Sequence, residues 1–471
     1  MNTSEAHPAP GGTLRLAFYG DDFTGSTDAL EVLAFAGLNT ALFLEPPSPE
    51  SLQRFGRLDA VGVAGDSRGM TPGEMDERLP ELLRRLVDLG APIVHYKVCS
   101  TFDSAPGIGN IGRVIELARK RLSSGPVPVV AGNPALGRYC VFGNLFARSA
   151  TDGKVHRIDR HPIMSVHPVT PMDEADLAVH LSRQATLAIA SLSLPQLEQD
   201  RATLDGSMDA LLDAQGDAVL CDASTPRHLT EIGRLLARQA QRQGRPCFVV
   251  GSSGVEYALT QWWQEAGLPT QATGHYGTFR GVDRVLALSG SASKLTALQI
   301  ARAIEAGFAD VPVRARDLVD DDRWQATSAE IVARATSLLN SGRSVLLHTA
   351  RGADDPRIGE MIDALMASGL SKDAAKHEGG RTLGIRLGRI VREILENVPL
   401  QRLLLSGGDT SSQVTQVLAP EALVVVARLA PGVPLCRTVS GLKASDGIEM
   451  ALKGGQLGDE DFFEKARAGN A

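Results

Sequence analysis

Residues 14–37, with the sequence LRLAFYGDDFTGSTDALEVLAFAG, decide the fold class of this chain. The apolar run over 14–19 predicts a buried strand, and the helical periodicity over 24–37 predicts a helix directly after it. The turn between them, GDDFTG at 20–25, is bracketed by glycines and carries two adjacent acids. A strand, a tight turn and a helix in this order are typical of an α/β fold with parallel strands.

The same alternation continues through most of the 471 residues. Further strands are predicted at 40–44, 60–64, 93–98, 127–130, 219–221 and 247–250, with helices at 72–89, 111–122 and 226–243. Residues 267–281 show little periodicity. Beyond them the pattern restarts, with strands at 284–288, 345–348, 403–405 and 423–426 and helices at 294–306, 329–339 and 376–397.

We therefore predict an α/β protein of two domains, each a mostly parallel sheet flanked by helices, with a ligand cleft between them. The chain is well above the length at which a single hydrophobic core stops growing, which agrees with two domains. The predicted limits are a flexible amino terminus over 1–12, a first domain over 13–266, a linker over 267–282 and a second domain over 283–471.

Composition excludes several classes of function. The net charge is −7 and aromatic residues make up 4% of the chain, so neither a basic surface for nucleic acid or anionic membranes nor an aromatic stacking platform is expected. The five cysteines are scattered without a CxxC pair, which favours neither a disulfide framework nor a zinc site. We expect a cytoplasmic protein that acts on small molecules, without nucleic-acid or membrane partners, and a homodimer is compatible with these features.

Candidate ligand-binding side chains follow the predicted strands of the first half. Asp21 and Asp22 lie at the end of the first strand, where mutual repulsion would raise one pKa and favour a general base; the alternative is a helix N-cap. Arg68, in the turn GDSRG, could grip a carboxylate with two hydrogen bonds, or could lie in a plain surface turn. Another strand is followed by small polar groups that suit a polyhydroxy acid: Lys97, Ser100, Thr101 and Asp103.

A GxGxxG motif at 107–112 raises the alternative of a nicotinamide-dependent oxidoreductase. The loop before its first glycine is long. Asn133-Pro134 lies at the position where a dinucleotide-binding fold would have an acid that hydrogen-bonds the ribose. We therefore favour a glycine-rich substrate loop at this motif.

Two glycine-rich strand-to-helix junctions lie in the second half, at 288–294 (LSGSASK) and 405–411 (LSGGDTS), with a Gly454-Gly455 pair near the end of the chain. Glycines let a backbone approach a ligand closely, and exposed amides at a helix start favour phosphate, so these loops predict a nucleotide site; plain capped turns are the alternative. No GxxxxGK[ST] motif is present, so the site would belong to another class. The candidate residues are Ser289, Ser291, Ser293, Gly407, Gly408, Asp409, Thr410 and Gly455.

Taken in order, GDDFTG, DSR, the KxxST strand end, SGSAS, SGGDT and the closing ALKGGQLG at 451–458 resemble the four-carbon acid sugar kinases over nearly the whole chain. The resemblance implies an amino-terminal acid-sugar domain, a carboxyl-terminal nucleotide domain, ATP and Mg²⁺. It implies that Asp21, Asp22, Arg68 and Lys97 lie on the substrate side, and that Ser291, Gly455 and the 407–410 loop bind ATP. No Mg²⁺ ligand set is legible, and Asp409 is the only acid of these loops that we nominate.

This chain departs from the family pattern at one place. Many members have KxDSTLRGN where residues 97–105 are KVCSTFDSA, so that Cys99 replaces an acid and Asp103 replaces an arginine. The identity of the acid sugar is therefore left open. Within the kinase hypothesis we expect Asp22, or else Asp21, to accept the hydroxyl proton while Arg68 and Lys97 hold the substrate carboxylate. A non-catalytic sensor of small acids and nucleotide is the alternative from another class.

Overall fold

A computed structural model describes residues 14–122, 125–149, 152–167, 169–268 and 274–470. The predicted flexible terminus over 1–12 lies outside the described residues, as do residues 269–273 of the predicted linker. No helix within the described ranges is both long enough and apolar enough to cross a membrane.

The first half alternates strands and helices as the sequence predicts. Its strands are β1 (Leu16–Gly20), β2 (Thr40–Phe43), β3 (Ala60–Ala64), β4 (Ile93–Lys97), β5 (Val127–Val130), β6 (Arg138–Val141), β7 (Asn144–Arg148), β8 (Val155–Arg157), β9 (Ile189–Leu192), β10 (Ala218–Cys221) and β11 (Cys247–Gly251). Its helices are α1 (Phe23–Phe35), α2 (Pro49–Arg54), α3 (Pro72–Asp88), α4 (Ile111–Arg121), α5 (Leu177–Ser182), α6 (Leu194–Leu197), α7 (Arg201–Asp213), α8 (Pro226–Gln243) and α9 (Gly254–Glu265).

The second half repeats the alternation and ends in longer strands. Its strands are β12 (Leu286–Ser289), β13 (Ala309–Pro312), β14 (Val345–His348), β15 (Arg402–Ser406), β16 (Ala422–Ala430), β17 (Val433–Val439) and β18 (Glu449–Lys453). Its helices are α10 (Lys294–Glu305), α11 (Ala315–Val319), α12 (Trp324–Asn340), α13 (Pro356–Ala367), α14 (Lys372–Asn397), α15 (Gly408–Leu418) and α16 (Phe462–Ala468).

In the described part of the chain, one large sheet runs through both halves in the order β13-β14-β12-β15-β18-β17-β16-β2-β3-β1-β4-β11-β5-β10-β9. Most neighbours are parallel, but β17 is antiparallel to β16 and β18, and β16 is antiparallel to β2. The pairing of β16 with β2 joins the two halves edge to edge. The predicted mostly parallel α/β architecture is confirmed, and the continuous sheet is a feature that the sequence did not predict.

Local sequence explains the elements that position the ligand-binding loops. All five residues of β1 are buried, as expected for a parallel strand covered by helices on both faces. Helix α1 begins after Asp22 and packs against α15, β17 and β18 of the other half. Helix α3 begins with a capping box between Thr71 and Glu74, with Pro72 in its first turn. The turn after β1 is therefore held against the second half of the chain.

Three strands of the first half form a separate antiparallel sheet, β6-β7-β8, which the sequence analysis did not predict. Strands β9, β13, β17 and β18 were missed as well. The short strands β6 to β8 mix polar and apolar residues and are largely half-buried, so they carry no clear hydrophobic period.

Candidate active site

The turn between β1 and α1 places two acids at the start of a helix. The Asp22 side chain accepts a hydrogen bond from the Gly25 amide at 3.0 Å, and the Thr24 hydroxyl donates to Asp22 Oδ2 at 2.7 Å. Asp22 is therefore the N-cap of α1, which is one of the two interpretations that the sequence allowed.

Arg68 lies between the two acids of this turn. Its Nη2 atom is 2.8 Å from Asp21 Oδ1 and 2.7 Å from Asp22 Oδ1. The Arg68 amide also donates to the Asp21 carbonyl oxygen at 3.0 Å, which ties the two turns together. Arg68 is thus paired with both carboxylates of the turn, and its contact with a substrate stays a prediction.

Burial and neighbouring charges shift the pKa values of the two acids in opposite directions. Burial raises the pKa of Asp21 to about 6; Arg68 opposes this effect and the charge of Asp22 adds to it. Burial also acts to raise the pKa of Asp22, but Arg68, Lys97 and the hydrogen bonds from Thr24 and Gly25 outweigh it, so this pKa is lowered. Asp22 is the acid that stays ionised as the pH falls.

Lys97, the last residue of β4, is buried beside the same turn. A Cβ atom on Gly25 would overlap both Lys97 Nζ and Asp22 Oδ1, so glycine at this position allows the ammonium group and the carboxylate to approach. The charge of Lys97 also lowers the pKa of Asp28, although burial raises that pKa overall. Lys97 therefore lies among three acids of α1 and its preceding turn.

The loop after β4 brings Cys99, Thr101 and Asp103 together. Cys99 Sγ is 3.0 Å from the Thr101 hydroxyl, which donates to Asp103 Oδ1 at 2.5 Å. Burial acts to raise the pKa of Asp103, but Arg68 together with the hydrogen bonds from Thr101 and Cys99 outweighs it, so this pKa is lowered. Ser100 is half-buried in the same loop. The residues at which this chain departs from the family pattern are thus neighbours of Arg68.

The GxGxxG motif supports the Arg68 turn. Gly109 has a φ of 58°, its amide donates to the Met70 carbonyl oxygen at 2.9 Å, and a Cβ atom on it would lie 2.7 Å from the Arg68 carbonyl oxygen. The motif therefore packs against another loop of the first half, at the end of the long loop over 98–110 that joins β4 to α4, and it lacks the tight turn of a dinucleotide-binding strand-to-helix junction.

The three glycine-rich loops of the second half leave the neighbouring parallel strands β12, β15 and β18 and contact one another. A Cβ atom on Gly455 would lie 2.5 Å from Ser291 Oγ, and one on Gly290 would overlap the Thr410 hydroxyl. Gly407 has a φ of 111°, in the region that favours glycine, and its Cβ position is 3.2 Å from the Ser291 amide. The structure thus brings these predicted loops together.

Hydrogen bonds fix the loop between β12 and α10. Ser293 caps α10 by accepting from the Thr296 amide at 3.0 Å, and the Ser293 and Thr296 hydroxyls both donate to the Gly455 carbonyl oxygen. The Ser291 amide donates to Ser289 Oγ at 3.4 Å. These serines shape the loops, as plain capping would require, whereas Asp409 is exposed in the first turn of α15.

Lys453, at the end of β18, was missed as a candidate. Its side chain is fully buried, and Nζ donates to the Gly454 carbonyl oxygen at 3.0 Å and to the Thr296 hydroxyl at 3.3 Å. Burial lowers its pKa to about 8. The available signal was a lysine that ends an apolar strand directly before Gly454-Gly455.

The loops of the two halves meet at Gly408 and Thr24. A Cβ atom on Gly408 would lie 3.6 Å from the Thr24 hydroxyl, which itself donates to Asp22. The start of α15 therefore faces the start of α1. Amide groups at two helix starts and the Asp21–Asp22 pair consequently lie in one region.

Among the described residues, no group of three or more His, Cys, Asp or Glu side chains could hold a metal ion by itself. Two buried hydroxyls beside the glycine loop, Ser406 Oγ and Ser411 Oγ, lack hydrogen-bond partners within that part of the chain. The loop therefore offers free polar atoms next to Gly407, which fits a polar ligand.

Comparison with known proteins first defines the class. A model of a sugar-binding N-terminal domain matches residues 16–259, and a model of a nucleotide-binding C-terminal domain matches residues 286–463. A 3-oxo-isoapionate kinase of Paraburkholderia graminis is 42% identical over 468 residues, with 99% of this chain and 97% of the relative covered. A 3-oxo-tetronate kinase of Methylobacterium radiotolerans is 30% identical, with 96% and 99% covered. The chain belongs to the four-carbon acid sugar kinase family, as its motifs predicted.

Two solved structures share the fold. One from Salmonella typhimurium LT2 has a TM-score of 0.75 at 23% identity and covers 96% of this chain and 98% of its own. One from Haemophilus influenzae has a TM-score of 0.68 at 21% identity and covers 96% and 99%. At these identities the likeness extends to the fold alone.

Proposed function

We propose that this chain is an ATP-dependent kinase that phosphorylates a hydroxyl group of a 3-oxo sugar acid. The observation that carries the proposal is the contact between Gly408 of the glycine loops and Thr24 of the acid turn, with 3.6 Å between the Gly408 Cβ position and the Thr24 hydroxyl. A nucleotide bound at the glycine loops would present its phosphoryl group to a hydroxyl of an acid bound at the acid turn.

Each loop has a role in this proposal. The amides over 407–410 and the Gly455 loop bind the ATP phosphates, because glycines allow close approach and helix starts favour anions. Asp22 accepts the proton of the attacking hydroxyl: it is hydrogen-bonded to Thr24, which faces Gly408, and it stays ionised. Phosphoryl transfer depends mainly on positioning and charge stabilisation, so an oriented carboxylate suits the task. Asp21 keeps Arg68 in place.

Mg²⁺ is part of the proposal because it usually reaches such sites with the phosphates and needs only one or two protein carboxylates. Asp409, exposed in the first turn of α15, and Asp22 are the acids at this junction. Bound there, the ion would neutralise phosphate charge. The absence of a group of three metal-binding side chains among the described residues fits a metal carried by the nucleotide.

The relatives favour a 3-oxo acid as the substrate class. Both relatives are named for a 3-oxo derivative of a sugar acid, and the more similar of the two is the 3-oxo-isoapionate kinase. Cys99 and Asp103, where this chain departs from the family pattern, lie close enough to Arg68 for its charge to act on both, and we propose that they select among such acids.

The proposal also includes several predictions from the sequence. The domain limits at 13–266 and 283–471, a ligand cleft between the domains, a homodimer, a cytoplasmic location and the lack of a nucleic-acid partner all stay predictions. The GxGxxG motif gives the oxidoreductase alternative little support, because its Gly109 packs against the Arg68 turn.

Coupled detection of ADP with a panel of 3-oxo and reduced four- and five-carbon sugar acids tests the proposed function. We expect Mg²⁺-dependent ADP release with a 3-oxo acid. Binding of acid and ATP without ADP release would favour the sensor, and reduction of a nicotinamide would favour the oxidoreductase.

A further inference from the structure

A second cluster of polar groups lies at the same edge of the sheet, beyond Lys97. Asn133 follows β5, and Arg138 begins β6 of the small antiparallel sheet. The two residues exchange backbone hydrogen bonds, with the Asn133 amide at 2.9 Å from the Arg138 carbonyl oxygen and the reverse bond at 3.0 Å. Because directly paired residues place their side chains on the same side, both side chains belong to one local surface.

Arg138 is a half-buried cation without an acidic partner among the described residues. Its Nη1 atom donates only to carbonyl oxygens, of Leu136 at 2.9 Å and of Arg148 at 3.2 Å. Its Nε atom is buried and has no hydrogen-bond partner in the described chain. Strand β11 pairs with both β4 and β5, so the segment after β5 that pairs with Arg138 lies beside the loop after β4. The Cys99 thiol and the His161 imidazole are the ionisable groups that interact with the guanidinium charge. A partly desolvated charge without a counterion, with one donor buried and unpaired, is costly, and an anionic ligand would relieve that cost.

Asn133 has an unused hydrogen-bonding group at the same place. The residue is fully buried, and Nδ2 donates to the Ser253 hydroxyl at 3.1 Å. Its Oδ1 atom has no partner within the described residues. Ser253 also hydrogen-bonds Asp28 of α1, so this amide is linked to the acids around Lys97. A buried amide oxygen without a partner fits a ligand hydroxyl, which would donate to it.

The cations predicted to hold the substrate carboxylate are already compensated. Arg68 pairs with Asp21 and Asp22, and Lys97 lies among Asp22 and Asp28. Arg138, by contrast, has a donor to offer and no counterion within the described chain. An incoming carboxylate therefore gains more at Arg138 than at either of the other two.

We propose, on the basis of the proposed function, that Arg138 receives the carboxylate of the sugar acid and that Asn133 accepts a hydrogen bond from one of its hydroxyls. The acid then lies with its carboxylate toward the β6-β7-β8 sheet and its reacting hydroxyl toward Asp22. Cys99 and Asp103 flank the path between these two ends. Arg138 is a substrate-positioning residue in this arrangement, while Arg68 organises the acid turn.

The test compares Arg138→Gln with Arg148→Gln, which removes an exposed arginine side chain from the neighbouring strand of the same sheet. Calorimetry measures binding of the substrate acid without ATP, and steady-state rates give KM for the acid and for ATP. Losing one partner of a desolvated charge pair is expected to weaken acid binding by about 30-fold or more. We expect that loss in Arg138→Gln only, with KM for ATP unchanged and partial recovery in Arg138→Lys.

The ratio of the affinities for the acid and for its uncharged primary amide reports the contact with the carboxylate. A purely structural role of Arg138 would leave that ratio unchanged. The wild-type protein should discriminate strongly between acid and amide, and Arg138→Gln should lose most of that discrimination. Full discrimination in a folded Arg138→Gln, or an equal loss in Arg148→Gln, would overturn the assignment. If the wild-type protein binds acids but releases no ADP, the proposed kinase function fails while the binding comparison still decides the role of Arg138. Failure of the wild-type protein to bind any acid would refute both.

Discussion

Replacing each acid of the turn by asparagine is expected to change stability in opposite directions. Burial raises the pKa of Asp21 from 3.8 to about 6. A folded pKa above the unfolded one contributes stability below the unfolded value, and this contribution is lost as the pH rises through the folded value. At 1.36 kcal/mol per pH unit, the wild-type protein loses about 3 kcal/mol from this group by about pH 7. Asp21→Asn, which resembles the protonated acid, should avoid that loss.

Asp22 follows the opposite sign. Its folded pKa is lowered, so its contribution is present above the unfolded value of 3.8 and is lost as the pH falls through the folded value. Asp22→Asn keeps a good N-cap residue but loses the ion pair with Arg68 at 2.7 Å. This variant should be less stable than the wild-type protein at neutral pH, with a difference that shrinks in acid. Removing a general base also lowers kcat by about 10²–10⁴-fold.

Denaturant unfolding at about pH 4 and about pH 7 measures the stability of the Asp21→Asn and Asp22→Asn variants, and steady-state assays at saturating ATP measure their kcat. We expect Asp21→Asn to gain stability between the two pH values relative to the wild-type protein and to keep most of its kcat. Lower stability of Asp21→Asn at neutral pH would show that Arg68 needs the Asp21 charge, and the electrostatic argument would be wrong. A normal kcat in Asp22→Asn with a large loss in Asp21→Asn would assign the base to Asp21.

Three further variants test the other loops. A Cβ atom on Gly408 would make only an ordinary contact, 3.6 Å from the Thr24 hydroxyl, so Gly408→Val should fold. Its side chain should block close approach of the phosphates and abolish ATP binding measured by calorimetry; unchanged affinity would refute the loop assignment. Arg68→Ala removes the guanidinium that pairs with buried Asp21 and half-buried Asp22 and leaves only the charge of Lys97 nearby, so the free energy of unfolding should fall by about 3–5 kcal/mol. A loss below about 1 kcal/mol would show that these ion pairs contribute no more than exposed ones. Lys453→Met removes the bonds to Gly454 and Thr296 and should raise KM for ATP more than KM for the acid; an equal rise in both would contradict a role at the nucleotide loops.

The sequence predicted the residues whose position follows directly from strand ends. Asp21, Arg68 and Lys97 come after or at the end of β1, β3 and β4, and parallel strands bring such residues to one edge. The glycine loops after β12 and β15 were predictable for the same reason, whereas the strand before Gly454-Gly455, β18, was missed. Regular periodicity and turn chemistry were enough to place them.

Contacts between distant segments were not predictable from periodicity. Arg138 joins the site because β6 pairs with the residues after β5, and its strand carries no clear hydrophobic pattern. Asn133 was considered only as the residue at a ribose-reading position, since nothing local shows that its amide would be buried and partly unpaired. The pairing of Arg68 with both acids likewise depends on the fold, because 46 residues separate Arg68 from Asp22.

In the proposed reaction, ATP bound at the Gly408 loop transfers its terminal phosphoryl group to a hydroxyl of an acid held at the Asp22 turn. Phosphorus NMR of the products formed from ATP, Mg²⁺ and a 3-oxo sugar acid tests it most directly. We expect ADP and a phosphomonoester of the acid in equal amounts with the wild-type protein, formation of both at least about 10²-fold slower with Asp22→Asn, and neither above background with Gly408→Val. Inorganic phosphate without an ester, or undiminished ester formation in both variants, would contradict the proposed transfer at this junction.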